Sequence, residues 1–179
     1  MLNKMRKLKL EELNRLSTDE FKESSRHPVI VILDNVRSMN NTGSAFRTCD
    51  AFRIEKLYLC GITATPPNKE IHKTALGATE SVDWEYREDA LVLIEELKSL
   101  GYTICSIEQA EGSTMLNEYN NNTEKLALIF GNEVKGVQQK VVDSSDLCLE
   151  IPQYGTKHSF NISVSIGIVL WDLLKDKSL

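Results

Sequence analysis

Short apolar segments alternate with amphipathic helical segments along most of this 179-residue chain. Runs rich in β-branched and apolar residues predict strands at 29–33, 57–60, 82–86, 103–107, 126–130 and 147–151. Helical spacing predicts helices near 42–52, 71–75, 90–100 and 138–142, and a long final helix over 159–174. Parallel strands need crossover connections, and these cover both faces of a sheet. The alternation therefore predicts a mostly parallel, doubly wound α/β sheet.

The first 26 residues have a different pattern. Apolar residues recur at helical spacing over 2–25, and Ser17 to Glu20 offers a break and a new helix cap. We therefore expect an N-terminal helical extension (1–26) and one catalytic domain (27–179), a normal size for a single domain. The extension carries a basic run with no acid, formed by Lys4, Arg6, Lys7 and Lys9. This run is typical either of a solvated helix end or of a segment that contacts phosphate.

Composition restricts the classes of protein that fit. The net charge of −5 is not the basic balance common in nucleic-acid binders, so any such contact must be local. The apolar stretches are shorter or more interrupted than the roughly 20 residues of a membrane span. Residues 1–26 lack the apolar core and cleavage site of a secretion signal, so a cytoplasmic protein is expected. Four widely spaced cysteines predict buried thiols, not a zinc site or disulfides: Cys49, Cys60, Cys105 and Cys148.

Several common motifs are absent or incomplete. No GxGxxG follows a strand, which argues against a dinucleotide-binding fold. Residues 131–136 have the outer spacing of a P-loop, but Val137 stands where the phosphate-binding lysine belongs. The histidines lack metal-ligand spacing, so no metal is expected. Ligands of doubly wound sheets bind beyond the carboxyl ends of the strands. Polar, glycine-bearing loops follow three predicted strands, at 34–43, 131–136 and 152–158, and predict the functional site.

These three loops carry motifs of a known family. The segments are NTGSAFRTCDAF at 41–52, LIFGNEVKGV at 128–137, and IPQYG at 151–155 with SFNISVS at 159–165. In this order they resemble the three motifs of the TrmH/SpoU branch of the SPOUT methyltransferases, over about residues 28–174. The resemblance implies a C-terminal trefoil knot in the α/β fold, a homodimer, and S-adenosylmethionine as cofactor, with S-adenosylhomocysteine as product. It also implies methylation of a ribose 2′-hydroxyl in tRNA or rRNA.

The resemblance also implies roles for individual residues. Main-chain groups around Gly131, Ile151 and Phe160 are expected to hold the cofactor. Phe160 replaces the family's usual leucine, which predicts a tighter pocket. Four further residues are expected to line the same site: Phe130, Asn132, Gln153 and Ser159. The proton-removal step is assigned to Arg47, with four residues in support: Asn41, Glu133, Ser159 and Asn161.

Alternatives remain open for these residues. A guanidinium is a poor base at neutral pH, so Arg47 acts either as a base in an unusual environment or as a bidentate clamp on an RNA phosphate. Taken alone, Arg47 is an ordinary surface pair with Asp50 at i+3. Glu133 fits a turn carboxylate or an anchor of the site, and Asn161 fits a helix cap, which is compatible with catalytic support.

Two other functions compete with RNA methylation. The first is a catalytically silent protein that binds RNA or the cofactor, for which cofactor binding without methyl transfer is the distinguishing result. The second is a small-molecule methyltransferase, which the acidic charge favours mildly. Activity on free nucleosides or metabolites, with none on RNA, distinguishes this function.

Overall fold

The computed structural model describes residues 5–179 and forms one parallel sheet of seven strands. The strand order is β3-β2-β1-β6-β4-β7-β5. The strands are β1 (His27–Asp34), β2 (Ile54–Cys60), β3 (Trp84–Arg87), β4 (Thr103–Ile107), β5 (Thr114–Met115), β6 (Leu126–Phe130) and β7 (Leu147–Glu150). All six strand pairings are parallel, so the predicted parallel sheet is confirmed.

Helices cover both faces of this sheet. They are α1 (Thr18–Glu23), α2 (Met39–Ala51), α3 (Lys69–Ala75), α4 (Ala78–Ser81), α5 (Ala90–Ser99), α6 (Gln139–Asp143) and α7 (Ile162–Leu174). One apolar core packs α2, α3 and α7 against Val31 and Leu33 of β1, and a second packs α5 and α6 against Ile30 and Ile32. Successive residues of a strand point to opposite faces of the sheet. Because both faces of β1 are covered, residues 29–33 are all apolar.

Capping residues fix where several elements begin and end. The Asn161 side chain accepts a hydrogen bond from the Ser163 N–H at 2.9 Å, so α7 begins at Ile162 and not at 159 as predicted. The predicted strand at 82–86 begins only at Trp84, because the Val82 N–H closes α4 by donating to the Ala78 carbonyl at 3.0 Å. The short elements α4 and β5 were not predicted, since neither is long enough to show a period.

The predicted helix over 2–25 is wrong within the described residues. Residues 5–9 have no regular secondary structure, Leu10–Leu13 form a 3-10 turn, and α1 spans only six residues. The leucines at positions 10 and 16 are exposed, so their helical spacing meets no apolar surface, and short helices without packing are marginal in water. The predicted cap is confirmed, because Ser17 and Glu20 form a reciprocal capping box. The predicted start of this helix and Lys4 lie outside the described residues.

The strand order decides which loops meet. β6 lies between β1 and β4, and β4 lies between β6 and β7. The carboxyl ends of four neighbouring strands therefore share one edge of the sheet. This edge carries the 35–38 segment after β1, the loop after β4, the 131–138 loop after β6, and the 151–161 segment after β7.

Candidate active site

The loop after β6 is a tight turn that presents Glu133. The Asn132 N–H donates to the Gly136 carbonyl at 3.0 Å, and the Gly136 N–H donates back at 2.8 Å. The Asn132 side-chain oxygen accepts from the main-chain N–H groups of Val134 and Lys135 at 2.9 and 3.1 Å. A Cβ atom on Gly131 would collide with the main chain of Gly136, so the two ends of the turn can approach this closely only with glycine at position 131.

The Glu133 carboxylate ties this turn to the segment between β1 and α2. It accepts hydrogen bonds from the main-chain N–H groups of Arg37 and Ser38, both at 2.9 Å, and from the Asn41 side chain at 3.0 Å. Partial burial raises the pKa of the Glu133 carboxyl, but these bonds lower it more, so its pKa lies below the ordinary glutamate value. Glu133 is therefore an anchoring carboxylate that stays ionised near neutral pH.

Asn41 also contacts Asn161, the residue that precedes α7. The Asn161 side-chain N–H donates to the Asn41 side-chain oxygen at 3.2 Å, while the Asn161 oxygen caps α7. Asn161 is thus both a helix cap and a link between two of the three motif loops. The chain Glu133–Asn41–Asn161 joins the ends of β6, β1 and β7 in one hydrogen-bonded network.

A cavity of about 590 Å³ lies beside this network. All seven residues expected to contact the cofactor line it, together with Glu133 and Asn161. The seven are Phe130, Gly131, Asn132, Ile151, Gln153, Ser159 and Phe160. The structure thus brings together residues as far apart in sequence as Phe130 and Phe160, which are 30 positions apart.

Arg47 lies elsewhere. It is on the exposed face of α2 and does not line the cavity. Within residues 5–179 its guanidinium makes no hydrogen bond or ion pair, and the pair with Asp50 considered above is not formed. Asp50 instead accepts a hydrogen bond from the Ser81 hydroxyl. The Arg47 side chain is therefore available to a ligand outside the cavity.

Sequence reasoning missed the contribution of the segment after β4. Ile107, Glu108 and Gln109 line the cavity, and the Glu108 carboxylate accepts from the N–H groups of Val137 and Gln109, both at 2.8 Å. Six further lining residues lie within the predicted loops and motif segments but had been given no role of their own: Val134, Lys135, Gly136, His158, Ile162 and Ser165. The strand at 103–107 was predicted, but only the strand order shows that its end faces the same cavity.

Two further features concern metals and membranes. Over the described part of the chain, no group of three or more His, Cys, Asp or Glu residues is placed to hold a metal ion. No helix within residues 5–179 is long and apolar enough to cross a membrane. The cysteine prediction needs one correction, because Cys49, Cys60 and Cys105 are buried thiols but Cys148, in β7, is only partly buried.

A parallel sheet with a ligand-sized cavity beyond the carboxyl ends of its central strands defines an α/β ligand-binding protein. The chain belongs to the SpoU rRNA Methylase family, whose model matches residues 28–171. The resemblance to the TrmH/SpoU family is thereby confirmed.

Relatives and solved structures agree with this family. The tRNA (guanosine(18)-2′-O)-methyltransferase of Aquifex aeolicus is 31% identical over 159 residues, which cover 88% of this chain and 74% of that enzyme. The crystal structure of the A. aeolicus TrmH/SpoU tRNA modifying enzyme has a TM-score of 0.79 at 26% identity, covering 89% of this chain and 82% of that one. The crystal structure of the AdoMet-bound rRNA methyltransferase from Sinorhizobium meliloti has a TM-score of 0.80 at 22% identity, and the match covers 89% of this chain and 61% of that one. At this identity the comparison shows a similarity of fold alone. Across three curated relatives, this chain spans 64% to 74% of their length.

The Glu133 network predicts a pH-dependent loss of stability in Glu133→Gln. The pKa of Glu133 is lower in the folded protein than the value of about 4.3 expected in the unfolded chain, so its ionised carboxylate stabilises the fold at higher pH. This stabilisation is lost as the pH falls through the pKa of the folded protein. Urea unfolding should therefore show Glu133→Gln less stable than wild type at pH 7, with the difference shrinking below about pH 4. Glu111→Gln, at an exposed glutamate, is the matched control and should follow wild type. Equal stability of Glu133→Gln and wild type at pH 7 contradicts the network.

Proposed function

We propose that this protein transfers a methyl group from S-adenosylmethionine to a ribose 2′-hydroxyl of tRNA or rRNA. The single observation that carries the proposal is the cavity at the carboxyl ends of β6, β4 and β7. It is lined by all seven residues that the family resemblance assigns to the cofactor, in a chain that belongs to the SpoU rRNA Methylase family.

The cavity fits this cofactor in size and chemistry. Its volume of about 590 Å³ lies within the roughly 300–1,000 Å³ of small-molecule sites. Phe130, Ile151 and Phe160 offer apolar surface for the faces of an adenine ring. Among the described residues, the main-chain groups of Ile151 and Phe160 make no hydrogen bonds, so they are free to bind the adenine edge. When bound, S-adenosylmethionine supplies a methyl group activated by its sulfonium.

The remaining site residues have distinct proposed roles. Glu133 holds the loop after β6 in place through Arg37, Ser38 and Asn41. Asn161 and Ser159 line the cavity, where their side chains are proposed to position the acceptor ribose. Arg47 is proposed to clamp a phosphate bidentately, because its unpaired guanidinium lies outside the cavity on an exposed surface.

Local positive charge supports RNA as the acceptor despite the net charge of −5. Besides Arg47, the exposed basic side chains near the site are Arg37, Lys135 and Lys157. Phosphate contacts of this kind supply much of the affinity for nucleic acid and weaken as salt concentration rises. The acidic remainder of the surface then limits RNA contact to the region of the cavity.

Nucleoside mass spectrometry tests the proposed function. In cells lacking this protein, we expect one 2′-O-methylated nucleoside to be missing from a cytoplasmic tRNA or rRNA fraction, the compartment in which we propose that the enzyme works. Purified wild-type protein should restore the mark in vitro, and Arg47→Ala should not. Unchanged methylation in the deletion strain, or transfer only to free nucleosides or metabolites, contradicts RNA methylation. Cofactor binding without any transfer identifies the silent binding protein instead.

We also propose that the protein is a homodimer that pairs through α7. Val164, Ile168 and Trp171 lie at i, i+4 and i+7 on one side of this helix, the spacing of a single face. Val164 is 47% exposed and Trp171 is 63% exposed, which is unusual for large apolar side chains on a helix whose other face fills the core. A second copy of the same face is the proposed partner, as in most two-fold symmetric dimers.

Light scattering after size exclusion tests the dimer. Wild-type protein should elute at the mass of two chains, and Trp171→Glu should elute as one chain, because a charge at the centre of an apolar interface is not compensated. The matched control is Val92→Glu, which places the same charge at an exposed position of α5, outside the proposed interface. This variant should elute as a dimer. A wild-type monomer, or a dimeric Trp171→Glu variant, contradicts the proposal.

We propose that residues 27–179 are the catalytic domain and that residues 1–26 are an accessory segment for RNA. Phe21 is buried in the core beside the sheet, and Arg26 pairs with Asp83 at 2.6 Å, so deletion through residue 26 would remove packing as well. Deletion of residues 1–16 avoids this loss. We expect this truncated protein to bind RNA more weakly and S-adenosylhomocysteine equally well. Unchanged RNA binding contradicts the proposed role.

The trefoil knot of the family is proposed for this chain as well. The strand order supports it, since β6 inserts between β1 and β4 and β7 follows on the far side of β4. When single molecules are unfolded by pulling on both ends, a knotted chain should tighten into a knot that cannot be undone. The measured contour length should then be shorter than the length expected for all residues fully extended. A full contour length contradicts the knot.

A further inference from the structure

We propose that the Glu108 carboxylate binds the ribose hydroxyls of the cofactor. This inference rests on the proposed function and gives a role to a side chain that the sequence motifs do not include. Its support is the position of Glu108 between the cofactor-binding segments, the way its carboxylate is held, and the acceptor positions that this carboxylate leaves unused.

The strand order places Glu108 between two segments that are expected to hold the cofactor. β4 lies between β6 and β7, and its last residue, Ile107, pairs with Phe130 of β6 and with Leu149 of β7. Neighbouring strands lie about 4.8 Å apart, so the ends of β6 and β7 are about 10 Å apart with Glu108 between them. A ligand that contacts the main chain after both of these strands therefore spans the position of Glu108.

The Glu108 carboxylate is held in a fixed orientation at the cavity wall. One of its oxygens accepts from the Val137 N–H and the other accepts from the Gln109 N–H, both at 2.8 Å. The Glu108 N–H donates to the Leu149 carbonyl at 3.1 Å, so the main chain is fixed as well. A Cβ atom on Gly136 would collide with this carboxylate, and the glycine thus lets it reach the turn after β6.

Two acceptor positions of this carboxylate remain unused. An ionised carboxylate has about four lone-pair sites, and the described residues occupy two of them on Glu108. No lysine or arginine within residues 5–179 forms a salt bridge with Glu108. Glu133, the other acidic residue that lines the cavity, already accepts three hydrogen bonds from the segment around the start of α2. Glu108 therefore has the greater capacity for a ligand that donates hydrogen bonds.

The donors of S-adenosylmethionine decide which group the carboxylate binds. They are the adenine amino group, the two ribose hydroxyls, and the ammonium at the end of the methionine portion. The adenine edge is proposed above to bind main-chain groups of Ile151 and Phe160, and the ribose is joined directly to the adenine. Two neighbouring hydroxyls match the two free acceptor positions of Glu108, and acidic side chains bind nucleoside riboses in dinucleotide-binding α/β folds. The ribose hydroxyls therefore fit this carboxylate in number and in chemistry.

Binding of two matched ligands, measured by calorimetry, tests the inference with Glu108→Gln. The ligands are S-adenosylhomocysteine and its analogue that lacks both ribose hydroxyls. Wild type should bind the analogue about 10- to 100-fold more weakly, because hydrogen bonds to a charged group are lost. In Glu108→Gln this preference should be at least about fivefold smaller, the size of a direct coupling between two groups. Glu111→Gln changes an exposed glutamate on the same loop that does not line the cavity, and should keep the wild-type preference.

The ratio of the two dissociation constants separates contact with the ligand from a purely structural role. Loss of the turn after β6 weakens the binding of both ligands alike and leaves their ratio unchanged. Glu108→Asp keeps the charge on a shorter side chain and should keep part of the preference. This second variant preserves the test where Glu108→Gln folds poorly.

Binding of 5′-methylthioadenosine distinguishes the ribose from the ammonium, because this ligand keeps the ribose and lacks the amino-acid portion. Glu108→Gln should bind it more weakly than wild type, by the same factor as for S-adenosylhomocysteine. Equal binding by the two proteins assigns the carboxylate to the ammonium and overturns the inference. A Glu108→Gln variant that keeps the wild-type preference for the ribose hydroxyls also overturns the inference, while the proposed function stands. Wild type that binds no S-adenosylhomocysteine overturns the proposed function itself.

Discussion

The Glu133 carboxylate holds together chain segments that are more than 90 residues apart in sequence. Its partners are two main-chain N–H groups before α2 and the Asn41 side chain, at separations of 96, 95 and 92 residues. Hydrogen bonds to an ionised carboxylate are stronger than neutral ones, and main-chain donors have little freedom to rearrange. Asn41 then reaches Asn161 at the start of α7. This connection ties together the segments that follow β6, β1 and β7 beside the cavity.

The sheet provides the rigid base for that network. β6 is completely buried and is flanked by β1 and β4, so the turn that carries Glu133 begins from a fixed point. Glu108, at the end of β4, holds the other side of the same turn through the Val137 N–H. Gln109 continues from there to the segment that precedes α7. The cavity is thus framed by side-chain hydrogen bonds between loops that follow neighbouring strands of the sheet.

The sequence predicts the bounds of two central strands correctly. β6 is a continuous apolar run and β4 is rich in β-branched and apolar residues, which is the pattern expected of buried strands. The N-terminal helix was predicted wrongly because leucine spacing says nothing about whether an apolar surface is available, and Leu10 and Leu16 have none. The motifs identified the seven residues expected to contact the cofactor, all of which line the cavity, with Gly131 and Ile151 among them. Glu108 could not be found in the same way, because its place beside the cavity follows from the strand order alone. His158 lies in the predicted 152–158 loop, but no motif gave it a role.

The central claim is that the cavity between the ends of β6, β4 and β7 is the cofactor site. A crystal structure of the protein with S-adenosylhomocysteine tests it most directly. The account predicts density for the ligand between Gly131, Ile151 and Phe160, with its adenine edge on main-chain groups and its faces against the apolar side chains. A ligand bound elsewhere on the protein, or no ligand at saturating concentration, would contradict it.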